Sequence, residues 1–170
     1  ELRRLGVPLL MLQGGIHPGE SDGKDAGFIA LRELLRREVA NGVLERVALL
    51  FVPAFNTDGH ERMGYANRPN QNGPEETGWR ATAHNLNLNR DYVKADAPEM
   101  QAMLRLLQQW DPLVCADLHV TDGADFEPDI SLQVEPINQG DLRLRASGTQ
   151  LRDALIGKLA AQGSLPLPFY

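Results

Sequence analysis

"VPLLMLQ", residues 7–13, is apolar at nearly every position and runs straight into "GGIHPGES", residues 14–21. A strand with one wet face alternates apolar and polar residues. A strand that is apolar throughout is covered on both faces, as in a parallel sheet flanked by helices. "VALLFVPA" (47–54) and "LVCADLHV" (113–120) read the same way, and "ISLQVE" (130–135) is a fourth strand candidate. Helical patterns separate them. Residues 24–40 place Ala26, Ile29, Ala30, Leu34 and Val39 near one face, with Asn41-Gly42 as a stop signal. Residues 97–110 place Met100, Met103, Leu104, Leu107 and Trp110 at helical spacing. Asp96 and Glu99 have the spacing of a capping box, Pro98 suits a first turn, and Asp111-Pro112 ends the helix. A last helix covers roughly 141–161. This order predicts an α/β fold with a mixed, largely parallel sheet and helices on both faces, an α/β/α sandwich, in a single domain.

The 170 residues are 42% hydrophobic, enough for a real core. Seventeen basic against 23 acidic residues leave a net charge of −6. That balance argues against nucleic acid or an anionic membrane as the main partner. No apolar run approaches the ~20 residues that span a bilayer, and no signal-peptide pattern is present. The single cysteine, Cys115, excludes an intrachain disulfide and is expected to be a small buried residue.

Polar residues gather where the strands end. In α/β sheets ligands bind at the carboxyl ends of the strands. His17 follows the first strand, Asn56 the second, and His119 ends the third. His17 and Glu20 are both metal-ligand types, three residues apart across a Pro-Gly turn. Alone, that pair reads best as a surface turn or a favourable charge at a helix N-terminus. His119 on the same edge changes the balance, because two histidines and a glutamate are a catalytic zinc set that leaves one position open for water. Asp117, two residues before His119, shares its strand face. It either orients that histidine or is satisfied by backbone.

The segment 56–95 is long and rich in Asn, Gly, Pro and Arg, which marks a functional loop. Within it "NLNLNRDY" (85–92) suggests a short extended stretch with Asn87, Asn89 and Asp91 pointing one way. Asn89-Arg90 would present an amide beside a guanidinium, and arginine pairs with carboxylates in a planar, bidentate way. The alternative is a loop arginine in a solvated ion pair. Arg80, in "GWRAT", could stabilise an oxyanion if it lay near a metal.

HPGE (17–20), Asn-x-Asp-Gly (56–59), an arginine, LNR (88–90) and DLH (117–119), in that order, resemble the zinc metallocarboxypeptidases across roughly residues 7–123. The resemblance implies that His17, Glu20 and His119 hold Zn2+, and that Asn89 and Arg90 hold the terminal carboxylate of a peptide or acyl amino acid substrate. It implies that Arg80 polarises the scissile carbonyl, with Arg68 as the alternative. Asn56 and Asp58 read as turn formers near the site. His60 and His84 match no motif position and read as solvated or substrate-loop residues, and Trp79 as loop packing. In this family a glutamate activates the water, several tens of residues beyond the last ligand. Glu127 and Glu135 are too close to His119 to be its counterpart. The expectation is therefore an N-terminal portion of a catalytic domain, with metal and anion sites but no base, inactive alone. Two other functions remain open: an N-acyl amino acid deacylase of the aspartoacylase or succinylglutamate desuccinylase type, and a zinc-binding pseudoenzyme.

Overall fold

A computed structural model describes residues 2, 4–121 and 123–168; Tyr170, to which the sequence assigns no role, lies outside the described residues. The chain forms two compact units, Glu1–Gly123 and Ala124–Tyr170.

The first unit is built on three parallel strands, β1 (Leu9–Gln13), β2 (Ala48–Val52) and β3 (Val114–Asp117), in the order β2-β1-β3. Gln13 stands opposite Val52 on one side and Asp117 on the other, so the three strands end level. Helix α1 (Asp22–Leu35) follows β1, a short helix α2 (Thr57–Glu61) follows β2, and α3 (Pro98–Trp110) precedes β3.

Helices cover both faces of this sheet. Met11 and Leu50 are neighbours in register and share one face. There Met11 is buried with Met100 and Met103 of α3, Ile16, Phe55, Leu88 and Ala97, and Leu50 and Val52 pack against the cluster. Phe51 points to the opposite face and meets α1. Its ring lies where a Cβ on Gly27 would be, and it packs edge-on against Phe28 at 5.3 Å. α1 thus meets Phe51 with a glycine, which apolar periodicity does not register. That is why the expected face is only partly right: Ala30 and Leu34 are half-buried, whereas Ala26 and Ile29 are exposed.

The helix boundaries shift for local reasons. α1 stops at Leu35, because Arg37 and Ala40 take positive φ (60° and 43°), and Val39 is left exposed beyond it. On α3 the residues Met100, Met103, Leu104 and Leu107 face inward as expected, but Trp110 is exposed. The expected capping box is absent: Ala97 is the cap and bears no side-chain acceptor. Buried Asp91 takes that role instead, its carboxylate accepting from the N–H groups of Asp96 (3.0 Å) and Ala97 (2.8 Å). Asp111 closes the helix in the left-handed conformation, φ 46°.

β1 is the covered central strand, while β3 lies at an edge. Cys115 is there exposed, not buried as expected, because the cover that buries Met11 does not extend to its neighbour in register.

The second unit contains β4 (Ile130–Leu132), α4 (Leu142–Ala161) and β5 (Pro166–Pro168). β4 and β5 pair in parallel as a separate two-stranded sheet. The fourth strand candidate is therefore real but shorter.

Candidate metal centre

The level strand ends send three turns outward from one edge. Beyond β1, Gly15 has φ +65°, and a Cβ there would lie 2.6 Å from the His60 ring. The chain then places Ile16 in the core and His17 above it. The His17 carbonyl accepts from Glu20 N at 2.9 Å, closing the turn that brings the two side chains together. His119 arrives two residues past β3, and Leu118 N still bonds to the Gln13 carbonyl, so this segment is tied to β1 up to the ligand.

The three candidate ligands converge: His17, Glu20 and His119 each offer an atom within 4.8 Å of the others. His17 Nδ1 donates to Glu20 Oε1 at 2.8 Å, and His119 Nδ1 to Glu20 Oε2 at 2.9 Å. The imidazole rings are 5.1 Å apart, edge to face. His17 and Glu20 are buried, and His119 is the solvent-facing member.

Burial alone would push the Glu20 carboxyl up. Hydrogen bonds from His119 and His17, the charge of His17 and the Val120 N–H outweigh it and hold the group well below the usual carboxylate range. His119 is pushed up to about 9, first by its hydrogen bond to Asp117 and then by that to Glu20. Both its nitrogens face carboxylate oxygens, with Nε2 3.1 Å from Asp117 Oδ2, and both contacts are satisfied only when both nitrogens carry protons.

The donor set suits zinc. Two imidazoles and a carboxylate are its preferred ligands, with room for a fourth. A tetrahedral ion with ~2.1 Å arms separates its ligand atoms by roughly 3.4 Å, so it would widen the 2.8–2.9 Å contacts by about half an ångström while replacing the shared protons. His17 Nε2, on the side of the ring away from Glu20, is buried without a partner among the described residues.

Behind His119 lies a relay. Asp117 Oδ1 accepts from Gln13 Nε2 at 3.0 Å, and Tyr92 OH donates to Gln13 Oε1 at 3.2 Å. Asp117 thus contacts the histidine, as one of its two sequence readings held. Burial pushes the Tyr92 hydroxyl up, which keeps it a donor.

The remaining candidates are placed less uniformly. Arg80 lines an open cavity of about 510 Å³ with Asn67, Arg68, Asn70, Trp79 and Asn87. Its carbonyl accepts from Asn56 Nδ2 (3.1 Å), and its guanidinium has no hydrogen-bond or ion-pair partner among the described residues. Asn89 and Arg90 lie on a 3₁₀ turn, Leu88–Arg90, not on an extended stretch. The Asn87 side chain caps this turn and Leu88 plugs the core, so Asn87, Asn89 and Asp91 do not share a face. Asn89 is half-buried, and Arg90 is exposed, with Nη1 donating to the Asn89 carbonyl at 2.8 Å.

Asn56, almost fully buried, caps α2 by accepting from Gly59 N at 3.0 Å, and Asp58 accepts from Ala83 N at 2.9 Å. Both act as the expected turn formers, and both also fasten the 80–83 segment to the end of β2. His60 is half-buried and bonded to the Asn56 carbonyl at 2.8 Å, so it is a packing residue and not a solvated one. His84 is exposed as expected. The Arg62 guanidinium covers the Trp79 ring at 5.6 Å, consistent with loop packing. The sequence offered Arg68 only as the alternative oxyanion arginine and missed its bond to Glu20, whose Oε1 accepts from Arg68 Nη2 at 3.0 Å. Arg68 sits 48 residues away in an irregular segment, where no spacing rule connects the two.

The zinc carboxypeptidase family profile matches residues 2–128. The chain belongs to the zinc carboxypeptidase family. Its fold is similar to part of that of a metallo-carboxypeptidase from Burkholderia cenocepacia (TM-score 0.67, 17% identity, 96% of this chain and 42% of that one). It is similar to a putative carboxypeptidase A from Shewanella denitrificans (TM-score 0.67, 18% identity, 91% of this chain and 37% of that one). It is also similar to a metallo-carboxypeptidase from Pseudomonas aeruginosa in complex with (2-guanidinoethylmercapto)succinic acid (TM-score 0.63, 20% identity, 88% and 37%). The chain thus spans about two-fifths of the length of these structures. No curated protein matches it by sequence. No described helix is long and apolar enough to cross a membrane.

Proposed function

We propose that the whole protein hydrolyses a peptide bond next to a free terminal carboxylate, with His17, Glu20 and His119 holding Zn2+. The observation that carries this reading is the convergence of the two imidazoles on the Glu20 carboxylate, at the level ends of β1 and β3. Zinc supplies a Lewis acid that polarises the carbonyl and lowers the pKa of water. Asp117 orients the His119 ring through Nε2, leaving Nδ1 for the metal. Arg80 is the cation for the developing oxyanion: its guanidinium is uncommitted within the described residues, whereas Arg68 is already bonded to Glu20. Asn89 and Arg90 take the substrate's terminal carboxylate, which would draw the Arg90 fork off the Asn89 carbonyl. The base that accepts the water proton is assigned to none of these residues.

The test is kinetic and uses the whole protein. Blocked dipeptides are expected to turn over faster than N-acetyl or N-succinyl amino acids, with activity lost on chelation and restored by zinc. Faster turnover of the acyl amino acids would replace the peptidase reading by a deacylase one. Stoichiometric zinc without turnover of either would leave a binding protein.

A further inference from the structure

Arg68 is not a metal-ligand type, yet it is among the most buried charged residues described, 6% exposed against Glu20 at 3%. Its Nη2 donates to Glu20 Oε1 at 3.0 Å, the same oxygen that faces His17 Nδ1. The arginine reaches that oxygen by passing across Gly19. A Cβ on Gly19 would lie 2.7 Å from Arg68 Cγ and 3.4 Å from Cδ, so the stem fills the space a side chain at 19 would take. The turn carrying Arg68 is fastened to the turn carrying the ligands. Gln71 N bonds to the Arg68 carbonyl at 3.0 Å, and Gln71 Nε2 donates to the Gly19 carbonyl at 2.7 Å.

We propose that Arg68 is a positioning residue of the metal centre: it pins Glu20 Oε1 so that the carboxylate is presented to the metal in one orientation, and Gly19 is glycine because the Arg68 stem lies over it. This rests on the zinc reading of the preceding subsection. Two effects oppose each other. A guanidinium beside a ligand carboxylate repels a dication, so charge alone makes zinc bind more tightly once Arg68 is removed. Holding the carboxylate still makes zinc bind less tightly once Arg68 is removed, and residues that support ligands in this way typically change affinity ~10–100-fold. Orientation dominates here, because the guanidinium is donated through a fixed, buried contact and not from a mobile surface side chain.

The experiment measures zinc affinity by competition with a colourimetric chelator, alongside thermal melts of the zinc-free chain. Arg68→Met is expected to weaken zinc at least ~10-fold. Arg68→Lys keeps the charge, loses the planar fork, and is expected to recover only part of the loss. Gly19→Ala keeps the guanidinium but displaces it, and is expected to weaken zinc as well. Gly19→Ala combined with Arg68→Met should be no weaker than Arg68→Met alone, because both act through one contact. Zinc bound as tightly by folded Arg68→Met as by the unmodified chain, or more tightly, overturns the proposal; so do losses that simply add in the double variant. If Arg68→Met gives no cooperative melt, Arg68→Lys decides, and its unchanged affinity is the contrary result. Failure of the unmodified chain to bind zinc sinks the zinc reading itself, whereas zinc binding indifferent to Arg68 sinks only this proposal.

Discussion

The two halves of the proposed site are built differently. The metal half is cross-bonded around buried His17 and Glu20: Glu20 accepts from His17, His119, Arg68 and the Val120 N–H, and solvent-facing His119 is backed by Asp117, Gln13 and Tyr92. The carboxylate half, Asn89 and Arg90, rides on a 3₁₀ turn whose backbone is anchored by Leu88 and Asn87, but whose arginine is exposed and folded back onto its own chain. The proposed metal ligands are preorganised by protein contacts, whereas the proposed substrate arginine donates only locally, to the carbonyl of Asn89. Preorganisation is what a metal site needs, since ligands must be held before the ion arrives. A group that meets a mobile substrate can be ordered by it.

This contrast can be broken in several places. The largest effect is expected from His17→Ala or Glu20→Ala. Each removes one of three ligands, and zinc after purification without chelators should fall from about one equivalent to near none, an affinity loss of more than ~100-fold. Near-stoichiometric zinc in either folded variant would place the metal elsewhere.

Asp91→Ala separates scaffold from site. It removes the acceptor of two backbone N–H groups at the start of α3. It should cost about 2 kcal/mol in urea unfolding, with zinc affinity changed less than ~3-fold. A large loss of zinc would show that α3 sets the ligand geometry after all.

Acidity is the next lever. His119 is raised to about 9 in the metal-free chain, so below that pH zinc must displace its proton. Apparent zinc affinity should climb by up to ~10-fold per pH unit towards 9 and flatten above it. In the zinc-free chain the sign is opposite. A raised histidine stabilises the fold fully below its ordinary value near 6.5, and that contribution is lost as pH rises through about 9. Glu20, held low, contributes down to strong acid.

The smallest effect is expected from Arg90→Ala. Zinc affinity should not move, and stability should change by no more than ~0.5 kcal/mol, since the side chain is exposed. In the whole protein, KM for a free-carboxylate peptide should rise. A large destabilisation would mean that the arginine is part of the scaffold and not a substrate group.

The parallel strands and the meeting of His17, Glu20 and His119 were legible, the strands from local rules and the three residues from motifs at strand ends together with a family resemblance. Apolar runs give buried parallel strands, parallel strands end on one edge, and motifs at those ends meet. What was not legible depends on contacts between distant, irregular segments. Asp91 takes over the cap expected of Asp96 and Glu99, because a buried carboxylate six residues from Ala97 outcompetes a local one. Asn89 and Arg90 turn into a 3₁₀ helix where alternation suggested a short extended stretch, because Leu88 is drawn into the core. Gly27 packs where a hydrophobic pattern sees nothing. Arg68 reaches Glu20 only because a long loop folds back across Gly19. The fourth strand was visible as a strand, but its partner β5 is three residues containing two prolines, which no β-propensity would select.

The central claim, that His17, Glu20 and His119 hold one zinc ion, is tested most directly by a crystal structure of the zinc-loaded chain with diffraction recorded at the zinc absorption edge. One anomalous peak is expected within ligand distance, ~2.0–2.2 Å, of a nitrogen from each histidine and a Glu20 oxygen. A peak bound by other residues, or none in crystals grown with stoichiometric zinc, would contradict it.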